Sequence, residues 1–310
     1  MIFPWRRWLG CFLPLGAAVA CVAAQDKPLI QTFTLGRQDI YRVDVMIRSE
    51  LRGVATEQIG AKSYVKPFVH AAEATLRWAA TRKIAGVDTQ GIAVVEESID
   101  LPSGDCPSQV AQEESSARLR EALAKLCESW KTLRVLRYRE GSGGFIRDYP
   151  KEATPDFAES DFPLLAYWSR HAWRPTAIFP MEPLRPGQRY QHAIPPNNQP
   201  WSNKGGSESA EWLPAAGESP ALVLHVTQEL SGEGAGAVEA EDRTMHARRL
   251  QQVFFAESLS TLSLLDGSLI EATRSAKRET TWTLDPVEGL PDAPKFSSRL
   301  SVTVAIHRQQ

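Results

Sequence analysis

Hydrophobic and polar residues alternate through much of this chain, and the alternation begins early. In "DIYRVDVMI" Tyr41, Val43, Val45 and Ile47 stand against Arg42, Asp44 and Arg48, with Met46 the exception. "ATLRWAATRKI" sets Leu76, Trp78 and Ala80 against Arg77 and Arg82, and "GIAVVEESI" follows a Gly-containing turn. A period of two, punctuated by Gly, Pro and Asp, predicts antiparallel strands between Thr32 and Leu101. The signal returns in "ALVLHVTQEL", "LQQVFFAESLSTLSLL" and "RLSVTVAIHRQ", the last with Leu300, Val302, Val304 and Ile306 on one face. Between these, residues 197–219 have the composition of an exposed loop, and "SGEGAGA" reads as a Gly-rich turn.

The period changes once. Leu119, Leu123, Leu126, Trp130 and Leu133 form a single helical stripe, which predicts an amphipathic helix over about 108–136. Glu113 and Glu114 near its start and Lys131 and Arg134 near its end suit the helix dipole. Gly141-Ser142-Gly143-Gly144 stops it. Residues 141–180 then mix prolines with Phe157, Phe162, Tyr167, Trp168, Trp173 and Phe179. That aromatic density predicts an irregular connector lying against a sheet, since a solvated linker would carry few such rings. The expected fold is mainly β, with antiparallel, strongly curved sheets in two related units, residues 25–140 and 181–310, and one helix packed alongside. A short echo supports relatedness: Gly36 and Tyr41 in "TLGRQDIYRV" answer Gly187 and Tyr190 in "EPLRPGQRY".

The segment "FPMEPLRPGQRY" also resembles a junction in secreted bacterial β-sheet proteins of unknown function. Pro180, Pro183, Gly187, Gln188 and Tyr190 carry the resemblance over a dozen residues. It implies a fold type and no activity.

The N-terminus predicts an address. "MIFPWRR" is cationic, "WLGCFLPLGAAVACVA" is apolar without an acid, and Val22-Ala23-Ala24 supplies small residues before Gln25. This is the three-part pattern of an export signal, residues 1–24, cut after Ala24. A membrane anchor is disfavoured by Pro14 and by a run shorter than the roughly 20 residues needed to span a bilayer. Ala18-Val19-Ala20-Cys21 lacks the usual Leu of a lipobox, so anchoring through Cys21 is the lesser variant. The expected compartment is the periplasm or the exterior, with no transmembrane segment after signal removal. Losing Arg6 and Arg7 leaves 33 basic residues against 37 acidic ones. The basic residues are scattered, which argues against nucleic acid as a partner. Cys106 and Cys127 are then the only cysteines, and an oxidising compartment predicts that they pair.

The sequence carries no nucleophile elbow, no metal-binding histidine pair, no phosphate loop and no calcium loop. Adjacent acids such as Glu96-Glu97 would point to opposite faces of a strand. No cofactor or metal is expected. Candidate chemistry falls on one hairpin, "SLLDGSLIEATRSAKRETTW". A two-residue Asp266-Gly267 turn places Leu265 opposite Ser268. One face then gathers Val253, Phe255, Leu259, Leu265, Ile270, Ala272 and Ala276, and Arg274 and Arg278 project into it. Each arginine must reach a rim, pair with an acid such as Glu257, or meet an anionic ligand. The ligand set would be Arg274, Arg278, Phe255, Ile270 and Ala272. These features favour an exported, non-catalytic protein that binds a lipid, another apolar or amphiphilic ligand, or an envelope protein. A structural scaffold is the alternative, and a hydrolase assembled from distant residues comes third.

Export and oxidation share one test. Intact-mass measurement on protein from the cell envelope should return a chain beginning at Gln25, lighter by the two hydrogens lost when Cys106 and Cys127 join. A chain retaining Met1, a lipid on Cys21, or the dithiol mass would overturn the corresponding expectation.

Overall fold

The computed structural model describes residues 31–59, 62–100, 108–110, 117–132, 135–150, 174–180, 185, 188–196, 204–214, 221–240, 243–285 and 294–309. In chain order the first half holds β1 (Gln38–Ile59), β2 (Lys62–Val87), β3 (Ala93–Asp100), β4 (Ser108–Val110), α1 (Ala117–Thr132), β5 (Val135–Glu140) and β6 (Ile146–Arg147). The second holds β7 (Arg189–Ile194), β8 (Gly205–Pro214), β9 (Ala221–Ala240), β10 (Arg243–Ser263), β11 (Leu269–Leu284) and β12 (Lys295–Gln309). The strands make one sheet in the order β6-β5-β3-β2-β1-β12-β11-β10-β9-β8-β7, with β4 paired to β2 off this path. Every pairing is antiparallel.

The two halves, expected as related β units, belong to one continuous sheet. Each half is a meander, but the first strand of one hydrogen-bonds to the last strand of the other. Val43, Val45 and Ile47 of β1 lie opposite Ile306, Val304 and Val302 of β12. All six are buried, and period-two alternation puts them on one face. One buried cluster draws side chains from β1, β2, β8, β9, β10, β11, β12 and α1, so the sheet curls around its inner face. Its ends, β6 and β7, are not paired to each other.

The helix begins later than its pattern suggested, because residues 108–110 pair with β2 as a strand. Its Leu123, Cys127 and Trp130 are buried, and the Trp130 ring lies 4.8 Å from that of Trp78 on β2. Cys106, the expected partner of Cys127, lies outside the described residues, as does most of the aromatic connector. Two loop assignments are overturned. "SGEGAGA" continues strand β9, and part of 197–219 is strand β8. The β8 segment looks polar, yet Glu208, Ala210 and Trp212 alternate onto the buried face.

The β10–β11 hairpin also departs from its expected register. Ser263 N–H donates to Ser268 O at 2.9 Å, and Gly267 N–H donates back to Ser263 O at 2.8 Å. The loop is thus longer than the two-residue Asp266-Gly267 turn, with Gly267 in the left-handed region at φ 68°. A register shift follows between Thr261 and Leu262. Beyond it Ala256 pairs with Ala276 and Phe254 with Arg278, one residue out of step with the simple turn. A one-residue slip exchanges the two faces of a strand. Phe254, Ala256, Ser258 and Ser260 therefore face inward, whereas Val253, Phe255 and Leu259 stand on the outside.

Candidate functional site

Of the five residues expected to line a ligand cup, three share the inner face. Ala272, Arg274 and Arg278 are all buried there, and Ile270 is half-buried. Phe255 is on the outer face and exposed, so it cannot belong to that group. Glu257 shares that outer side and is no partner for either arginine.

Arg274 is fully buried and reaches the connector. Its Nη1 donates to the carbonyl of Arg174 at 3.0 Å, and its Nη2 donates to the carbonyl of Thr176. The sheet makes room for this approach with small neighbours. Ser258 lies opposite Arg274 on β10, and Ala256 opposite Ala276. Ala177 joins the core beside them. A guanidinium with several fixed donors suits two carbonyls two residues apart better than an ammonium would. Burial pushes the pKa of Arg274 down, to about 9. The group still carries its charge at neutral pH, and the two carbonyl dipoles stabilise it. Arg274 is thus a clamp that holds residues 174–177 across the inner face.

A second polar group occupies the end of the sheet formed by β2, β3 and β5, and sequence reasoning missed it. Arg82 Nη2 donates to Glu140 Oε2 at 2.7 Å, and Tyr138 Oη donates to Glu97 Oε2 at 3.0 Å. All four residues are buried. The Arg174 guanidinium stacks 3.2 Å above the Tyr149 ring and 5.4 Å from that of Tyr138. Burial raises the pKa of Glu97 despite Arg174 and Arg82 nearby, and burial likewise raises that of Tyr138. For Arg82 burial acts downward, but Glu140, Tyr138 and Tyr41 together outweigh it and the net shift is upward. The signal was present in strand parity: Arg82 shares a face with Leu76, Trp78 and Ala80, and Glu97 with Ala93 and Val95. Arg82 and Glu97 are direct cross-strand neighbours. The reading of Arg82 as outward-facing is corrected accordingly.

The outer face is wet over most of its width. Arg42 and Arg77 both pair with Asp44, Arg48 with Glu73, and Lys277 and Arg299 with Glu279. Placing such charges against hydrocarbon would cost about 2–4 kcal/mol each near a bilayer midplane, so these rows face water. No described helix is long and apolar enough to cross a membrane. Apolar residues are exposed on this face as well: Val253, Phe255 and Leu259 along β10, at 49%, 41% and 39%, and singly Ile40 of β1, Val69 of β2 and Val135 of β5. Beside it, His225 of β9 sits between two carboxylates, with Nε2 2.9 Å from Glu257 and Nδ1 3.4 Å from Glu211 of β8. Leu213 of β8, opposite Val223 of β9, is also exposed on this face.

No family model matches this sequence, and no curated protein does. Among solved structures the chain is similar to lipovitellin, whose structure is described in terms of lipid–protein interactions, at 10% identity and a TM-score of 0.37. That match covers 90% of this chain but 25% of lipovitellin, so the chain spans about a quarter of that protein's length. The type II secretion secretin XcpQ of Pseudomonas aeruginosa follows at 9% identity and a TM-score of 0.13, covering 89% of this chain and 59% of that one. The V. cholerae competence pilus secretin PilQ matches at 9% and 0.13, with 89% and 62% covered. Likenesses this distant carry no argument about function.

Two outcomes follow from the buried charges. Arg274→Met should destabilise the protein, because each carbonyl left unsatisfied costs about 1–3 kcal/mol. A urea midpoint equal to that of the unaltered chain would refute the clamp. Glu97→Gln keeps the acceptor for Tyr138 and removes the titration. With its folded pKa raised above the ordinary value of about 4.3, the Glu97 carboxyl favours the fold fully below that value and loses this contribution as pH rises through the folded pKa. The melting temperature of Glu97→Gln relative to the unaltered chain should therefore climb with pH above about 4. A difference that stays constant across the pH series would contradict it.

Proposed function

We propose that this chain is an exported, non-catalytic protein of the cell envelope that binds a partner protein through the outer face of β8–β10. The carrying observation is the run of exposed Val253, Phe255 and Leu259 along one strand, with charge pairs on the neighbouring β11 and β12. Exposed apolar area with a polar surround is the usual physical mark of an interaction surface. The inner face supports this choice by being occupied. Where a lipid carrier would need space beside Arg274, the chain's own residues 174–177 lie against it. In this reading Arg274 and Ala272 are structural, and an amphiphilic ligand is the competing outcome. The expected Cys106–Cys127 bond would tie α1, which packs on β2 through Trp130, to the segment before it.

A photo-crosslinking residue in place of Phe255 should give a discrete adduct in intact cells, and Leu259→Glu in the same chain should abolish it. The same residue in place of Arg299, on the charged part of that face, should give none. Equal labelling at both positions would overturn the ridge as a binding surface. A stoichiometric lipid extracted from the purified protein would move the function to the inner face.

A further inference from the structure

The segment preceding β1 runs as a strap across one end of the sheet. Gln31 N–H donates to Ser142 O at 2.8 Å, in the turn between β5 and β6. Thr32 N–H donates to Asp266 O at 2.9 Å, in the turn between β10 and β11. Those two turns belong to opposite wings of the sheet, so the strap connects parts that no strand pairing joins. Gly36 N–H then donates to Ile84 O at 2.8 Å, and the Arg37 side chain binds Asp39, Asp266 and Ser268.

Beneath the strap lies a cavity of about 10 Å³, walled by Gln31, Arg37, Arg82, Ile84, Asp266 and Ser268 among others. Two of its walls bring buried polar atoms without a hydrogen-bond partner among the described residues, Gln31 Oε1 and Arg82 Nε. Both side chains belong to residues only 5% exposed. Their demands are complementary: Gln31 Oε1 needs a donor and Arg82 Nε needs an acceptor. Arg82 Nη2 is committed to Glu140, and Arg37 to two carboxylates.

We propose that this cavity is a binding site for one water molecule, which donates to Gln31 Oε1, accepts from Arg82 Nε, and so locks the strap to β2. A volume near one probe sphere admits one water, and a buried water needs polar partners of both kinds. An anion could accept from Arg82 but would meet the Gln31 oxygen and the Asp266 carboxylate. A cation would face two guanidinium groups. Water alone satisfies both orphan atoms, and the position of the N-terminal strap then depends on a side chain at residue 31 that can accept a hydrogen bond.

The test reads long-lived internal water. Magnetic relaxation dispersion of the water oxygen should lose an amplitude of about one long-lived molecule in Gln31→Leu. The control Leu35→Ala, at an exposed position of the same strap, should keep it. In the unaltered protein the Arg82 Nε–H should show a cross-peak to bound water, which guards against a variant that fails to fold. Crystals soaked in bromide should show no anomalous peak between residues 31 and 82. An unchanged amplitude in Gln31→Leu, a missing cross-peak, or a bromide peak at the site would each overturn the proposal.

Discussion

Val43, Val45 and Ile47 of β1 face Ile306, Val304 and Val302 of β12, and both halves of the sheet reach their common core through that seam. The seam joins residues near the two ends of the described chain. A contact of this sequence separation carries the loop-closure entropy of the whole intervening chain. Until β12 arrives, β1 has one side paired to β2 and the other open, which is the exposed edge that invites wrong pairing. Tyr41 adds a second tie across the same distance, donating to the Leu269 carbonyl at 3.0 Å from a buried ring. Burial raises the pKa of that phenol, so the donor proton stays in place over the physiological range.

Curling a sheet around its inner face creates a packing difficulty that small residues resolve. Ala256, Ala272, Ala276 and Ser258 lie around Arg274 on the inner face, where the connector crosses. Their small volumes leave room for backbone, and backbone brings carbonyls that need donors. Arg274 supplies them. A hydrophobic residue at that position could fill the space but would leave the Arg174 and Thr176 carbonyls without this donor. The buried charge therefore follows from having main chain inside a curved sheet, and it does not by itself indicate an anionic ligand.

Strand periodicity was legible because each strand has one wet and one dry face, and alternation in β1, β2 and β12 reads directly from the residues. Glycine content misled: "SGEGAGA" carries turn composition, yet it lies in β9 paired to β10. The hairpin register was illegible for a sharper reason. Asp266-Gly267 is compatible with more than one loop length, and a single residue decides which face Phe255 or Phe254 occupies. An error of one position thus moved Phe255 from the outer surface into the expected cup. The Arg82–Glu140 and Tyr138–Glu97 pairs needed knowledge of which strands adjoin, since β5 reaches β3 only after β4 and α1 intervene. Charges of matching parity on separate strands were visible. Their adjacency was not.

These constraints divide the molecule's surfaces by what each is free to do. The described inner face is engaged with its own chain: α1 and Trp130 against β2, the connector against β11, and the strap across one end. The outer face of β1, β2, β11 and β12 carries charge pairs beside single exposed apolar residues such as Ile40 and Val69, and those pairs are solvated and individually worth about 0–1 kcal/mol. Such pairs contribute little stability, but they keep a broad sheet from stacking on another. Along β10 that protection stops, and Val253, Phe255 and Leu259 stand exposed although the same strand could have carried polar residues without loss to the core. Core packing requires Phe254, Ala256 and Leu262 of β10, not their outward neighbours. An exposed apolar row that folding does not demand is best explained by something that covers it.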